Sequence, residues 1–178
     1  MKKLTLIVAM ACLATAGYAQ KSKIANAKNN LILMRYDEAK AAIDEAIANE
    51  KTANFVGTYT MAADVYGKLA ANGKDTAGIE KAKMYIEKAM ELDAKGDAKG
   101  KGIGKFQKDI KESCATLAGN AEQSAHNDWG AKKFRSSMNN FKVVIWANER
   151  KVDQYNMISD SLTFYNLAQA AWLSEEYQ

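Results

Sequence analysis

Proline is absent from this chain of 178 residues, although roughly nine would be expected at the usual frequency of about 5%. A loop-rich β-sandwich needs turn residues at every corner, so this absence disfavours that class. Helices joined by short connections dispense with proline more easily. Histidine occurs once, at His126, which excludes zinc sites built on several histidines. The 48% hydrophobic and 26% charged residues are ordinary for a globular protein and exclude disorder.

The first 19 residues have the pattern of a secretory signal peptide. Two lysines precede an apolar run from Leu4 to Ala16, and Ala19 is the small residue before the expected cleavage point. The run is too short for a membrane anchor, so we expect no transmembrane segment after cleavage. Removing two lysines and no acid lowers the net charge from +4 to +2. That charge does not indicate nucleic acid. We therefore expect an exported protein in the periplasm, or on the periplasmic face of the outer membrane, of a Gram-negative bacterium.

The two cysteines allow no disulfide within the mature chain, because cleavage would discard Cys12 and leave Cys114 alone. An alternative makes Cys12 the lipidated first residue, although Ala9-Met10-Ala11 matches a lipoprotein cleavage box poorly. Cys114 lies in a helix-like stretch, where we interpret it as a small buried residue. A reactive thiol or a bridge to another molecule is the alternative.

Residues 20–178 are predicted to be helical almost throughout. Apolar residues recur at three- and four-residue spacings, and no stretch alternates as a strand does. Breaks rich in Gly, Asn, Asp or Lys fall at 49–54, 71–78, 95–104 and 148–160. Short amphipathic helices joined by polar connections favour stacked helix pairs.

Two patterns of bulky and small residues recur along these helices. The first has positions i, i+3, i+7 and i+10, and it occurs as Tyr36, Ala39, Ile43, Ala46; as Ile79, Ala82, Ile86, Ala89; and as Phe134, Ser137, Phe141, Val144. The second has spacings of three, one and three, and it occurs as Tyr59, Ala62, Ala63, Tyr66 and as Phe164, Leu167, Ala168, Ala171. On a helix each set forms one stripe, in which small residues let a neighbouring helix approach and bulky residues fill the grooves.

With these stripes the chain resembles the tetratricopeptide repeat (TPR) family, whose units are 34-residue pairs of antiparallel helices. The second pattern matches the first helix of a unit, and the first pattern matches the second helix. The resemblance implies an all-α, right-handed solenoid of about three and a half repeats. Its parts are repeat 1 at about 20–53, repeat 2 at about 56–94, a linker at 95–104, repeat 3 at about 105–148 and an incomplete repeat 4 at about 161–178. No proline closes the units, so looser joints than usual are expected.

The sequence stops where repeat 4 should begin its second helix, at Tyr177. We therefore expect the apolar face of Ser161–Leu173 to lack a partner. We favour the interpretation that the chain is the N-terminal part of a longer protein. The alternative is that this face docks on another molecule, which includes self-association of two copies through the C-terminal helix.

The resemblance also implies a binding surface. In such a solenoid the first helices line a concave face, and the family register places six residues there: Thr60, Asp64, Glu122, His126, Tyr165 and Gln169. It therefore implies a non-catalytic scaffold that docks a segment of another protein or peptide, without a cofactor or a metal. A second hypothesis is a glycan- or lipid-handling module of the envelope that uses Trp129, Trp146 or Trp172.

Enzymatic chemistry finds little support in the sequence. Adjacent carboxylates such as Asp44 and Glu45 point about 100° apart on a helix, which suits a solvated face better than an acid–base pair. The glycine-rich segment Gly96–Lys105 follows a helix and lacks the Ser or Thr of a phosphate-binding loop. We therefore interpret it as a flexible connection, and an enzyme of unfamiliar type stays a third hypothesis.

Overall fold

A computed structural model describes residues 22–97, 100–150 and 161–176 of the chain. These residues form helices and turns and no strand, which confirms the all-α prediction. The helices are α1 (22–32), α2 (Tyr36–Ala48), α3 (Val56–Ala71), α4 (Gly78–Lys95), α5 (Gln107–Gly130), α6 (Phe134–Asn148) and α7 (Ser161–Glu176). Within the described ranges, no helix is both long and apolar enough to cross a membrane. The expected signal peptide, Cys12 and Tyr177 lie outside the described residues.

α3 and α4 form an antiparallel hairpin. Gly78, at the start of α4, lies against Tyr66 and Ala70 near the end of α3, and Tyr85 further along α4 reaches back to Tyr59, with ring centroids 6.0 Å apart. α5 and α6 pair in the same way. At their turn the rings of Trp129 and Phe134 pack edge to face at 5.5 Å, and the Ser137 hydroxyl donates to the carbonyl of Ala125 at 2.8 Å.

α3 and α5 also lie side by side, and they run in the same direction. Three contacts follow one another along both helices: Asp64 with Ser113, Gly67 with Asn120, and the Ala71 carbonyl with the Asn127 side-chain amide at 3.4 Å. Residue numbers rise together on the two helices, as they must in a parallel pair. α5 also packs on α4, while α6 contacts both α4 and α7. Each of α3, α4, α5 and α6 therefore packs on at least three other helices.

The predicted stripes of α2, α3, α4 and α6 form much of the core. Their residues are buried, except that Tyr36 and Phe134, each the first residue of its helix, are half-buried. Ala39, Ala46, Ala82 and Ala89 have no exposed surface, in keeping with close approach of neighbouring helices at alanine. Ile43, Ile86 and Phe141 fill the space between these helices, as the spacing predicts.

The stripe predicted for α7 is the exception. Phe164 is 47% exposed and Ala168 is exposed, while Leu167 and Ala171 are half-buried. The buried residues of α7 are instead Thr163, Ala170 and Ser174, on the opposite side of the helix. Phe164 and Ala168 therefore pack on no other helix in the described structure, in keeping with the expectation that the apolar face of Ser161–Leu173 lacks a partner. Two of the buried residues are polar, so a search for apolar spacing overlooks them.

The predicted repeat 3 begins with α5, a single helix of 24 residues whose first half is 107–117. The linker before it is more ordered than expected in its described part. The buried Asp93 carboxylate accepts from the backbone N–H of Phe106 at 2.9 Å, and the Asp97 carboxylate accepts from that of Lys101 at 2.9 Å.

Candidate functional site

α3 is buried along all but one side. Four of its residues keep some exposure, namely Gly57, Met61, Asp64 and Lys68. Their spacings of three and four residues place them on one face of the helix. We call this set the open strip of α3.

Charged side chains from three helices surround the centre of the open strip. Asp64 interacts with Lys28 of α1, with Lys68 of its own helix and with Glu112 of α5. Charged side chains of α1 and α5 are therefore close enough to act on the exposed part of α3. One negative and two positive charges act on the Asp64 carboxyl group from its surroundings.

The Asp64 carboxyl group is strongly perturbed. Burial, with a smaller contribution from the nearby Glu112 carboxylate, raises its pKa from 3.8 to about 6. The Ser113 hydroxyl, Lys28 and Lys68 act in the opposite direction. Its Oδ1 atom is buried and has no hydrogen-bond partner among the described residues. A desolvated acceptor without a donor costs about 1–3 kcal/mol, so the Asp64 side chain would gain free energy by turning this oxygen towards a ligand's N–H group.

The contact between α3 and α5 beside this site is unusually polar. The Asn120 side chain is 4% exposed and its Nδ2 atom has no hydrogen-bond partner in the described structure. Gly67 makes room for it, since a Cβ atom there would lie 2.9 Å from Nδ2. Ser124, one turn further along α5, also has a buried hydroxyl without a described partner. These groups make the interface less stable than an apolar contact of the same shape.

The family register is wrong for Thr60. This residue is 8% exposed, and its hydroxyl donates to the backbone carbonyl of Gly57 at 3.4 Å. Met61, the next residue, packs partly against the core and keeps some exposed surface. Asp64 is the predicted ligand residue that lies on the open strip.

Glu122 and His126 are exposed on α5 but belong to another part of it. Asp64 meets α5 at Ser113, which is nine residues before Glu122 and so about 13 Å away along the helix axis. The His126 ring packs edge-on against Phe141 of α6, with centroids 5.4 Å apart. α5 is longer than a standard repeat helix. The family register therefore assigned Glu122 and His126, in the second half of α5, to a position that its first half occupies beside Asp64.

Tyr165 and Gln169 lie on α7, which packs on α6. Tyr165 is 59% exposed, and the Gln169 side-chain amide donates to its hydroxyl oxygen. The six predicted residues therefore occupy three separate surfaces of α3, α5 and α7. Sequence reasoning missed Met61 and Lys68, although their spacing of three and four residues from Asp64 would have indicated them.

A second cluster of charged and aromatic residues joins α2, α3 and α4. The Tyr66 hydroxyl donates to Asp44 at 2.7 Å, and Lys40 pairs with the same carboxylate at 2.6 Å. The Lys40 and Lys81 ammonium groups lie over the Tyr66 ring, 5.4 Å and 5.2 Å from its centroid. Burial, together with the Asp44 hydrogen bond, raises the pKa of Tyr66 to about 12. Each polar group thus has a partner, as expected of a clamp between helices.

Two of the three tryptophans are engaged within the chain. Trp129 packs on Phe134, and Trp146 stacks between Lys83 at 5.6 Å and Arg150 at 4.6 Å. Trp172 is 61% exposed and can meet a ligand directly. The second hypothesis therefore reduces to this residue and its neighbours on α7.

Cys114 is a small buried residue, as predicted. It has no exposed surface, and burial raises the pKa of its thiol to about 11. A reactive thiol requires the opposite shift. Among the residues that the structure describes, no three His, Cys, Asp or Glu side chains are grouped so that they could hold a metal ion.

Comparisons with protein-family models, with curated proteins and with solved structures give no match. The class defined by the structure itself is that of an all-α protein of packed neighbouring helices, with the Asp64 carboxyl group, whose pKa is raised, on the open strip of α3.

Proposed function

We propose that this chain is a non-catalytic scaffold of stacked, TPR-like helix pairs that docks a segment of another protein on the open strip of α3. The pairs are α1/α2, α3/α4 and α5/α6, and α7 is the first helix of a fourth unit. The order of contacts supports this arrangement. α3 and α4 are antiparallel, as are α5 and α6, the first helices α3 and α5 are parallel neighbours, and the second helices α4 and α6 also touch.

The Asp64 carboxylate is the observation that carries the docking proposal. With its pKa at about 6, it is mostly ionised at neutral pH, and its Oδ1 atom has no donor. If binding turns this oxygen outward, a partner backbone N–H, lysine or arginine would supply one, and such charge-assisted bonds are about twice as strong as neutral ones. Met61 adds an apolar contact that adapts to different side chains. The open strip thus combines an anchor for a donor with a tolerant apolar surface.

The signal-like pattern of residues 1–19 supports a place for this scaffold in the bacterial cell envelope, on the periplasmic side. Its partner would be another envelope or secreted protein.

Affinity capture from an envelope extract tests the proposal with three baits. They are the unmodified chain, Asp64→Asn, and the matched control Glu80→Gln at an exposed position of α4. A partner should bind the unmodified chain and the control equally, and its affinity for Asp64→Asn should fall about tenfold, or about 1.4 kcal/mol. Equal capture by all three baits would contradict docking at Asp64.

A glycan- or lipid-handling function is the alternative that the exposed Trp172 favours. It requires that binding of a glycan or a lipid vesicle be lost in Trp172→Ala and retained in Asp64→Asn. The docking proposal therefore predicts loss of binding in Asp64→Asn, and the glycan or lipid alternative predicts loss of binding in Trp172→Ala.

A further inference from the structure

The exposed side of α7 carries a stripe of large aromatic residues. Phe164, Ala168 and Trp172 follow at intervals of four residues, and Phe164 and Trp172 are 47% and 61% exposed. Tyr165 lies beside them and is 59% exposed. α6 packs on the opposite side of the helix, so this aromatic stripe is left open in the described structure.

We propose that the aromatic stripe is the interface of a homodimer, in which α7 packs antiparallel against α7 of a second copy. The stripe is the same in both chain directions, with an aromatic residue at each end and alanine midway. A two-fold axis beside Ala168 would therefore set Phe164 of each copy against Trp172 of the other. The alanine at the axis lets two helices approach to the usual 8–10 Å. This interface lies on α7 and does not depend on the proposed function of α3.

The charges of α7 favour the antiparallel orientation. From 161 to 176 the helix contains no lysine or arginine, and its acidic residues, Glu175 and Glu176, stand at the C-terminal end. In an antiparallel pair, Glu175 lies beside the N-terminus of the partner helix, where the helix dipole attracts a negative charge. A parallel pair would bring the acidic ends together. Antiparallel pairing therefore gains an attraction and avoids a repulsion.

The area available sets the strength of this dimer. An aromatic side chain buries about 150–250 Å² when fully covered, so three half-exposed ones supply about 300 Å² per copy. A standard interface buries about 800 Å² on each partner. The aromatic stripe thus supplies less than half of that area, about 600 Å² in total from the two copies, which is the size of a weak contact. We therefore expect a reversible dimer that dissociates at micromolar concentrations.

Sedimentation equilibrium on the full chain measures this association directly. The average mass should rise with concentration from 19.5 kDa towards twice that value, and it should stop there because a two-fold interface closes. Ala168→Glu sets two like charges at the axis and should weaken dimerisation by at least tenfold. The matched control Ala115→Glu, at an exposed position of α5, should dimerise as the unmodified chain does.

A cysteine at the axis provides a second, independent readout. In Ala168→Cys the new thiol meets its own copy, so mild oxidation should give a disulfide-linked dimer. Ala115→Cys and the unmodified chain, which retains Cys12 and Cys114, are the controls and should cross-link far less. A chain that stays monomeric to about 0.5 mM, assemblies that grow beyond dimers, or equal cross-linking at positions 115 and 168 would each overturn the proposal.

Discussion

Close packing of α3 against α4 makes Gly78 the most restrictive glycine of the described helices. A Cβ atom at this position would lie 2.5 Å from the backbone carbonyl oxygen of Tyr66 and 3.0 Å from the Cβ of Ala70. Carbon atoms normally stay about 3.5–4.0 Å from non-bonded neighbours. Because one obstacle is backbone, no side-chain rotation relieves the clash. In Gly78→Ala the two helices must therefore separate by about 1 Å.

The expected cost combines two opposing effects. Overpacking a close helix contact destabilises a protein by about 1–3 kcal/mol. Alanine recovers up to about 1 kcal/mol through its higher helix propensity. Gly78→Ala should therefore lower the free energy of unfolding by about 1–2 kcal/mol and the melting temperature by a few degrees.

Gly119 provides the matched control, since it is an exposed helical glycine with no atom within 4 Å of the new Cβ. Gly119→Ala should stabilise the chain by about 0.5–1 kcal/mol. Urea unfolding followed by far-UV circular dichroism measures both variants. If Gly78→Ala were as stable as Gly119→Ala, the close packing of α3 on α4 would be refuted.

Three further predictions concern single side chains. Because the pKa of Asp64 is raised to about 6, the folded chain holds a proton that the unfolded chain releases from about pH 4. The free energy of unfolding should therefore fall by on the order of 2–3 kcal/mol between about pH 4 and pH 6. Urea titrations of Asp64→Asn should lack this fall. If the free energy of unfolding changed equally with pH in both chains, the prediction would be contradicted. Phe141 is 1% exposed, so Phe141→Ala should lower the free energy of unfolding measured in urea by about 3–5 kcal/mol. The control Leu162→Ala, at an exposed position, should lower it by less than about 0.5 kcal/mol. Similar losses in the two variants would disprove the core position of Phe141. In a Cys12→Ser chain, Cys114 should react with a thiol reagent only after denaturant is added, and rapid labelling of the folded chain would show that it is not buried.

The local pattern of the sequence predicts much of the fold. Stripes such as Ala39, Ile43 and Ala46 combine small and bulky residues at helical spacing, and this periodicity is legible without knowledge of any neighbour. The pattern is less informative for α7, where Thr163 and Ser174 are buried in place of Phe164. Burial of a hydroxyl depends on which neighbour reaches it, and one-dimensional spacing does not carry that information.

The candidate site shows the same limit more clearly. Asp64 follows from a repeat register, because the relevant spacing lies within one helix. Lys28, Glu112 and Ser113 also act on the pKa of Asp64, and they belong to two other helices. The effects of Glu112 and Ser113 depend on the axial offset between α5 and α3. A fixed repeat length supplies that offset only when the helices have standard lengths. α5 has 24 residues, so Glu122 and His126 are displaced from the position that the register assigns.

Site-specific photo-cross-linking tests the proposed docking on α3 most directly. A photoreactive amino acid replaces Met61 on the open strip, or Met84, an exposed methionine of α4 that serves as the control. After irradiation in an envelope extract, the chain labelled at position 61 should yield a discrete cross-linked partner, and Asp64→Asn in the same chain should reduce its yield. The chain labelled at position 84 should yield none. Equal products from both positions, or a product from position 84 alone, would contradict docking on the open strip of α3.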